Sequence, residues 1–426
     1  MSGRVNRSFV GTIAALAALG LVAAGCSSSQ TSGATGASKA VSIGNIEALS
    51  GSNASAGLDT QRGVELAAQI INEAHPEIPL PFAATTGLPR LGGAKIQLVK
   101  KDSQGSPQTA ANAVQQLVTS DNVAAVVCCY ASAVTEAASA QGERLGVPFV
   151  NGASSAVGLT QRGLKWFFRT QPSDAIFAQG MFDLLDAQAK AGKPVKNVAI
   201  IHTNDTYGNG AEAVTKQQAE KSGYRVVADV AYQAGATDLT PEVLQIRSAN
   251  PDVVFAASYT QDGILLMKTL KQLNYAPQAI LGYGGGFTDP TFIPTLDKDA
   301  SGVISRSAWA QDAAVNKVAS TAVAKMFQDK YGRPMTEHSA ASFTAMMTVA
   351  DAINTAASTD PTKVRSALES LDVAANDTIM PWKGVKFDGD HQNAKAVGVE
   401  EQVIDGSYRV VYPPESANAQ LTWPLR

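Results

Sequence analysis

Among the residues able to do chemistry, Cys128-Cys129 comes first, because adjacent thiols can bind metals, attack electrophiles or oxidise to a disulfide. The pair ends an apolar run, Val123–Val127. Neighbours in a strand face opposite ways, so the plain expectation is two free thiols, one on each side. An oxidising compartment would instead allow a vicinal disulfide. Two thiolates alone lack the ligands of a metal centre. His75, His202, His338 and His391 are isolated, with no partner at metal-binding spacing, and each reads as a surface or satisfied residue. Nucleophile elbow, P-loop and H-E-x-x-H patterns are absent. Gly284-Gly285-Gly286 is followed by Phe287-Thr288-Asp289-Pro290, not by a helix start, so it reads as a close-approach loop and not a phosphate cradle. No enzymatic activity, metal or cofactor is expected.

The elements that must position such residues alternate. Val41–Ile46, Lys95–Val99, Val123–Val127, Val147–Val150, Val198–Ile201, Arg225–Ala231, Val253–Ala256 and Ala279–Leu281 read as short strands. Between them lie helical patterns over Gly57–Ala74, Ser106–Ser120, Val134–Leu145, Asp174–Ala191, Tyr207–Ser222, Leu239–Asn250 and Gln261–Leu273. Long helices follow at Val315–Tyr331 and His338–Ser358. Such alternation predicts an α/β fold, mainly parallel sheets with helices on both faces. The number of strand signals, and the looser stretch over 284–312, predict two lobes. Residues 73–94, with Pro76, Pro79, Pro81 and Pro89, read as a long ordered loop. Of 426 residues 45% are hydrophobic and 17% charged, and the net charge is −3, a soluble globular balance without the basic excess that nucleic acid binding needs.

Residues 1–25 read as an export signal, with Arg4 and Arg7 before an apolar run from Phe9 to Gly25. The stretch Leu21-Val22-Ala23-Ala24-Gly25-Cys26 resembles a bacterial lipobox, with Ala23 where Leu is preferred. The resemblance implies lipidation at Cys26; an uncleaved anchor helix is the plain alternative. A flexible Ser/Gly tether follows over 26–39. The expected location is the extracytoplasmic side of a membrane, held by the lipid.

Several ordered segments resemble the type I periplasmic solute-binding proteins of ABC transporters, above all the leucine/isoleucine/valine-binding family. They are Ile43–Gly51, Gly57, Arg62–Ala67, Asp102–Pro107, Ala131–Thr135, Val147–Ser155, Leu159–Gly163 and Phe168–Thr170 with Asp174. The resemblance runs from Ala40 to about Pro413. It implies a Venus flytrap of two α/β lobes joined by three crossings: lobe 1 over 40–170 plus 305–380, and lobe 2 over 173–303 plus 384–426. The second crossing is expected near Val303–Trp309 and the third near Pro381–Asp388.

The resemblance also implies a ligand site. Ser132, Ala153 and Ser155 match the positions that hold a solute carboxylate, a role suited to hydroxyls and backbone N–H groups; otherwise the serines read as loop caps. Asp174 matches an acidic position for an ammonium; its plain reading is a helix N-cap. Tyr207, Tyr259 and Tyr283 match cleft aromatics or lie at the glutamate position of the family, where this chain has Gly282–Gly286 and no carboxylate. An ammonium could still rest on Asp174 and the tyrosine rings. The implied role is capture of a small carboxylate-bearing solute, foremost a branched-chain or hydrophobic amino acid, by hinge closure, and its delivery to a membrane permease. A ligand sensor and a binder of an organic acid without an amine remain the alternatives, with an enzyme on the same fold a remote third.

Overall fold

The computed structural model describes residues 40–312 and 317–425. The expected export signal, Cys26, the tether and the expected helix start at Val315 lie outside the described residues.

The first lobe opens with strand–helix units: β1 (Val41–Glu47), α1 (Ala54–Asn72), β2 (Ile96–Asp102), α2 (Pro107–Thr119), β3 (Ala125–Cys128), α3 (Ser132–Leu145), β4 (Phe149–Asn151) and β5 (Phe167–Arg169). The β-branched runs are buried on both faces, as central parallel strands must be. These strands form a parallel sheet of order β2-β1-β3-β4-β5. The chain then builds the second lobe: α4 (Asp174–Lys190), β6 (Asn197–Thr203), α5 (Thr206–Ser222), β7 (Arg225–Tyr232), α6 (Thr240–Ala249), β8 (Val253–Ala257), α7 (Thr260–Gln272), β9 (Ala279–Gly282), α8 (Phe292–Leu296) and β10 (Ile304–Ser307). It returns to the first lobe through α9 (Val318–Tyr331), α10 (Glu337–Ala356), α11 (Pro361–Glu369), β11 (Asp372–Ala374) and β12 (Gly384–Lys386). The hairpin β13 (Val399–Ile404) and β14 (Ser407–Tyr412) closes the second sheet. That sheet has the order β14-β13-β10-β9-β8-β6-β7, parallel from β7 to β10 and antiparallel beyond.

Both sheets share one winding: the second strand lies outside the first, and the rest add on the other side. Ligands bind such sheets beyond the carboxyl ends of the strands, where the winding reverses. The first lobe's main core lies between its sheet, α1 and α10. Close approach of these helices needs Gly63, whose added Cβ would sit 2.0 Å from the Ser339 carbonyl oxygen. A second core runs from α2 and α3 of the first lobe to α4 and α5 of the second. The loop over 73–94 is ordered, burying Ile78, Leu80 and Leu88 on the first core.

The second crossing falls within the expected Val303–Trp309, but one lobe bound and the third crossing differ from expectation. β10 pairs with β9 and β13, so the second sheet extends through Ser307, beyond the expected start of the returning segment at 305. The third crossing falls later than Pro381–Asp388. Trp382, Val385, Phe387 and Ala396 are buried in the first lobe's core, β12 pairs with β11, and Arg169 bridges Gln392. The chain therefore leaves that lobe only between Ala396 and Val399. Short strands and irregular turns carry these residues, so no periodicity marked their side.

Candidate functional site

The first lobe's half of the site is built from the loops after β3 and β4. Asn151 ties them together: its Nδ2 donates to the carbonyls of Cys128 (2.7 Å) and Cys129 (2.9 Å), and its Oδ1 accepts from the Ser154 N–H (2.9 Å). Ser154 Oγ donates to the Cys129 and Tyr130 carbonyls at 2.8 and 3.0 Å. Cys128 and Cys129 are joined as a vicinal disulfide, not left as two free thiols. β3 ends at Cys128 and the chain turns at Cys129, so strand alternation does not span the pair. Ser132 is the first residue of α3, where N–H groups lack intrahelical partners. It is not the cap of that helix, because Ala131 holds that position.

The second lobe contributes Tyr207 and Tyr259 at the starts of α5 and α7. The Asp205 carboxylate accepts from the N–H groups of Tyr207 (3.1 Å) and Gly208 (2.9 Å) and fixes the first turn of α5. Tyr207 Oη donates to the Tyr283 carbonyl at 2.9 Å. Tyr259 Oη is buried and makes no well-formed hydrogen bond, nor does Tyr130 Oη from the first lobe. The Tyr259 ring centroid lies 5.9 Å from that of Tyr130 and 5.3 Å from that of Tyr207. Burial pushes all three phenols well above their usual pKa, so they stay protonated donors at neutral pH.

These groups meet in a small, tightly lined cavity between the lobes. Of the expected residues, Ser132, Ala153, Ser155, Tyr207 and Tyr259 line it. Tyr130, Gly285, Arg306 and His338 complete the lining. Tyr283 does not reach it. Its ring turns into the core, where its hydroxyl meets Thr215 Oγ1 at 2.6 Å, and only its carbonyl serves the site through Tyr207. Asp174 is fully buried behind the lining. It is the first residue of α4, not its cap; Ser173 holds that position. Burial raises its pKa, opposed by Arg306, the Ser155 hydroxyl and Arg169.

Sequence reasoning missed Tyr130, His338 and Arg306, and Arg306 on β10 changes the site's chemistry most. Its Nη1 pairs with Glu337 at 2.9 and 3.1 Å, its Nη2 lies 3.3 Å from Ser155 Oγ, and its guanidinium carbon stands 3.9 Å from the centre of the Phe177 ring. Its Nε has no partner. Glu337, at the start of α10, also accepts from Thr288 Oγ1 (2.6 Å) and the Ala308 N–H (2.8 Å). Burial alone would lower the Arg306 pKa and raise that of Glu337; their mutual attraction, joined by Asp174 at Arg306 and by His338, Thr288 and the Ala308 N–H at Glu337, outweighs it, so the two stand as an ion pair. A carboxylate therefore does lie beside the glycine-rich loop, but it comes from α10. Gly284 makes the room. Its φ is +64°, and an added Cβ would sit 2.5 Å from the Arg306 guanidinium carbon and 2.7 Å from Glu337 Oε1. The sequence signal was the glycine run, which said that something approaches without saying what.

The cleft is shut by contacts across the lobes. Besides the Arg306–Glu337 pair, Ser55 Oγ donates to Asp289 (2.9 Å) and Thr206 Oγ1 donates to Glu136 (2.7 Å). A small interlobe cavity lined by hydroxyls, helix starts and aromatic rings from both lobes is suited to grip a small solute. Residues 40–401 match the periplasmic binding protein family model.

The chain belongs to the periplasmic binding protein family. Leu/Ile/Val-binding protein homolog 7 of Brucella suis is 30% identical over 403 residues, covering 92% of this chain and 96% of that protein. Homolog 8 of Brucella abortus is 29% identical, covering 89% and 92%. The fold is shared with the leucine-binding protein LivK of Thermotoga maritima, with a TM-score of 0.74 and 22% identity over 88% of this chain and 99% of that one. LivJ of Streptococcus pneumoniae, solved with isoleucine, gives 0.73 and 22% over 91% and 100%. Within this family the expected two-lobed α/β fold and the expected kinship to the branched-chain amino acid branch both hold.

Proposed function

We propose that this protein is the lipid-anchored, extracytoplasmic binding component of an ABC importer, closing on a small solute with a carboxylate and an apolar tail. Convergence of Ser132, Ala153 and Ser155 with Tyr207 and Tyr259 in one interlobe cavity carries the reading. The serine hydroxyls and the N–H groups of the strand-exit loops suit a carboxylate, which takes several hydrogen bonds at once. The tyrosine faces suit an apolar tail. The Brucella relatives are named for leucine, isoleucine and valine, and the Streptococcus structure holds isoleucine. Hydrophobic amino acids are accordingly the first class to test. A second class, acids of the same skeleton without an amine, is favoured by one observation: among the described residues, no carboxylate lines the cavity.

A thermal-shift screen should pair each amino acid with its deaminated acid. Ligand at about 100 times its dissociation constant adds roughly 2.7 kcal/mol to stability, a clear upward shift. Absence of any shift with both classes would sink the solute reading. Cells lacking the protein should lose uptake of the solute that shifts it; unchanged uptake would point to sensing instead. Labelled fatty acid should enter the wild-type protein and not a Cys26→Ala variant, and equal labelling would remove the anchor.

A further inference from the structure

The carboxylate position and Arg306 are neighbours: Nη2 is 3.3 Å from Ser155 Oγ. A solute whose carboxylate rests on Ser155 brings its second carbon, the one bearing an amine in an amino acid, toward the guanidinium. At that pole the lining offers donors. Arg306 Nε, Tyr130 Oη and Tyr259 Oη are buried and make no well-formed hydrogen bond, although Thr260 stands near Tyr130 and the Asp205 carboxylate near Tyr259. An arginine carries no acceptor at all, while a phenol can donate or accept. The negative charges near Arg306 stand back from the solute. Glu337 takes Nη1 and is further occupied by Thr288 and Ala308, and Asp174 lies behind the lining. His338 Nε2 faces the Gly285 carbonyl at 3.2 Å and Thr288 Oγ1 at 3.3 Å, so it supplies no anion. An ammonium placed here would meet a fixed guanidinium at short range, and like charges in a site of low dielectric repel strongly. An oxygen placed here would receive hydrogen bonds from groups that otherwise stay buried and poorly paired, which is costly.

We propose that Arg306, admitted to the site by the missing side chain at Gly284, reads the substituent next to the solute carboxylate and selects an acceptor there. The solute class is then a 2-oxo or 2-hydroxy acid with a short apolar tail, not the matching amino acid. This rests on the reading that Ser132, Ala153 and Ser155 hold a carboxylate.

The test is calorimetric titration of the protein with matched sets on the leucine, valine and alanine skeletons, each as 2-oxo acid, 2-hydroxy acid, amino acid and unsubstituted acid. The oxo or hydroxy acid of the best skeleton should bind at least about tenfold more tightly than its amino acid, and more tightly than the unsubstituted acid. Arg306→Met combined with Glu337→Gln removes the charge pair without leaving half of it buried. It should bring the oxo acid down to the affinity of the unsubstituted acid, and Arg306→Lys should retain part of the preference. An amino acid that binds as well as its oxo acid overturns the proposal and leaves the carboxylate reading standing. If none of the set binds, both fall. If the double variant does not fold, the wild-type ranking of oxo acid against amino acid decides alone.

Discussion

The two halves of the cleft solve different problems with different materials. The first lobe's strand-exit loops offer backbone and hydroxyl: Ser132, Ala153 and Ser155 stand on loops that Asn151 and Ser154 lock together. Those three residues carry no formal charge, and the first lobe's Glu337 and His338 stand at the other pole. The other half is charged and aromatic: Arg306 pairs with Glu337 across the lobes, Tyr207 and Tyr259 cover the remaining wall, and Gly284 leaves the space. A neutral cradle suits a group common to every solute of the class. A charged pole discriminates, because a single side chain there changes the sign of what is welcome. On the proposed reading, similarity in the first half says little about the solute's identity, and the second half decides it.

Breaking the charged half should give the largest effect. Arg306→Ala leaves Glu337 as an uncompensated charge with its side chain 1% exposed. Loss of one partner of a buried pair costs about 3–5 kcal/mol, so urea unfolding of the ligand-free protein should show a loss of that order. A loss below about 1 kcal/mol would mean that Glu337 finds water or another partner, and the pole is softer than described.

Acidity acts on both halves. Burial raises Glu47, whose Oε2 accepts from the Tyr130 N–H at 3.2 Å, to about 8, and raises Glu401 on β13 to about 8 as well. Free glutamate titrates near 4.3. Between these values the folded protein holds protons that the unfolded chain releases. Stability is therefore greatest at or below the unfolded value and falls as pH rises toward about 8, by at most about 1.4 kcal/mol per pH unit for each group. Melting temperature should decline over that window, and Glu47→Gln should flatten the slope. A melting temperature that rises across the window would contradict the assignment.

Damage to the neutral half should be milder and confined to binding. Ser155→Ala removes a hydroxyl proposed for a charged acceptor, worth about 1.5–3 kcal/mol of affinity, while unfolding should move by less than about 1 kcal/mol. Unaltered affinity for every acid that the wild type binds would take Ser155 out of the site.

How much of this could be read from the residues follows the same division. The alternating β-branched runs and helical periodicities gave the first four strands of each sheet, because buried strands and amphipathic helices write their burial into local sequence; β5, β10 and the closing hairpin were not read. The neutral half was also legible, since Ser132, Ala153 and Ser155 sit within short segments of recognisable order. The charged half was not. Arg306 lies on the four-residue strand β10 inside a stretch without clear period, and Glu337 lies thirty-one residues away at a helix start. Nothing local says that they meet; only closure of the second sheet onto the crossing does. Tyr283 misled for the complementary reason. The sequence placed its backbone correctly beside the site, but the direction of its ring is set by the space near Thr215.

The smallest expected effect sharpens the comparison most finely. Tyr207 stands between the two poles: its ring lines the cavity, and its hydroxyl holds the Tyr283 carbonyl, the last peptide before Gly284 and Gly285. Gly285 approaches so closely that an added Cβ would lie 2.9 Å from Tyr207 Oη. Tyr207→Phe keeps the ring and frees the carbonyl, so stability should fall by about 1 kcal/mol. Because the released loop borders Arg306 and not Ser132, affinity for an unsubstituted acid should hardly change. The preference among substituents beside the carboxylate should shrink a few-fold, since a loop free to move no longer fixes the guanidinium. Titration of the variant with the matched acids reads both quantities at once. Equal losses for all ligands would show that Tyr207 serves the cleft as a wall and not the charged pole as a brace.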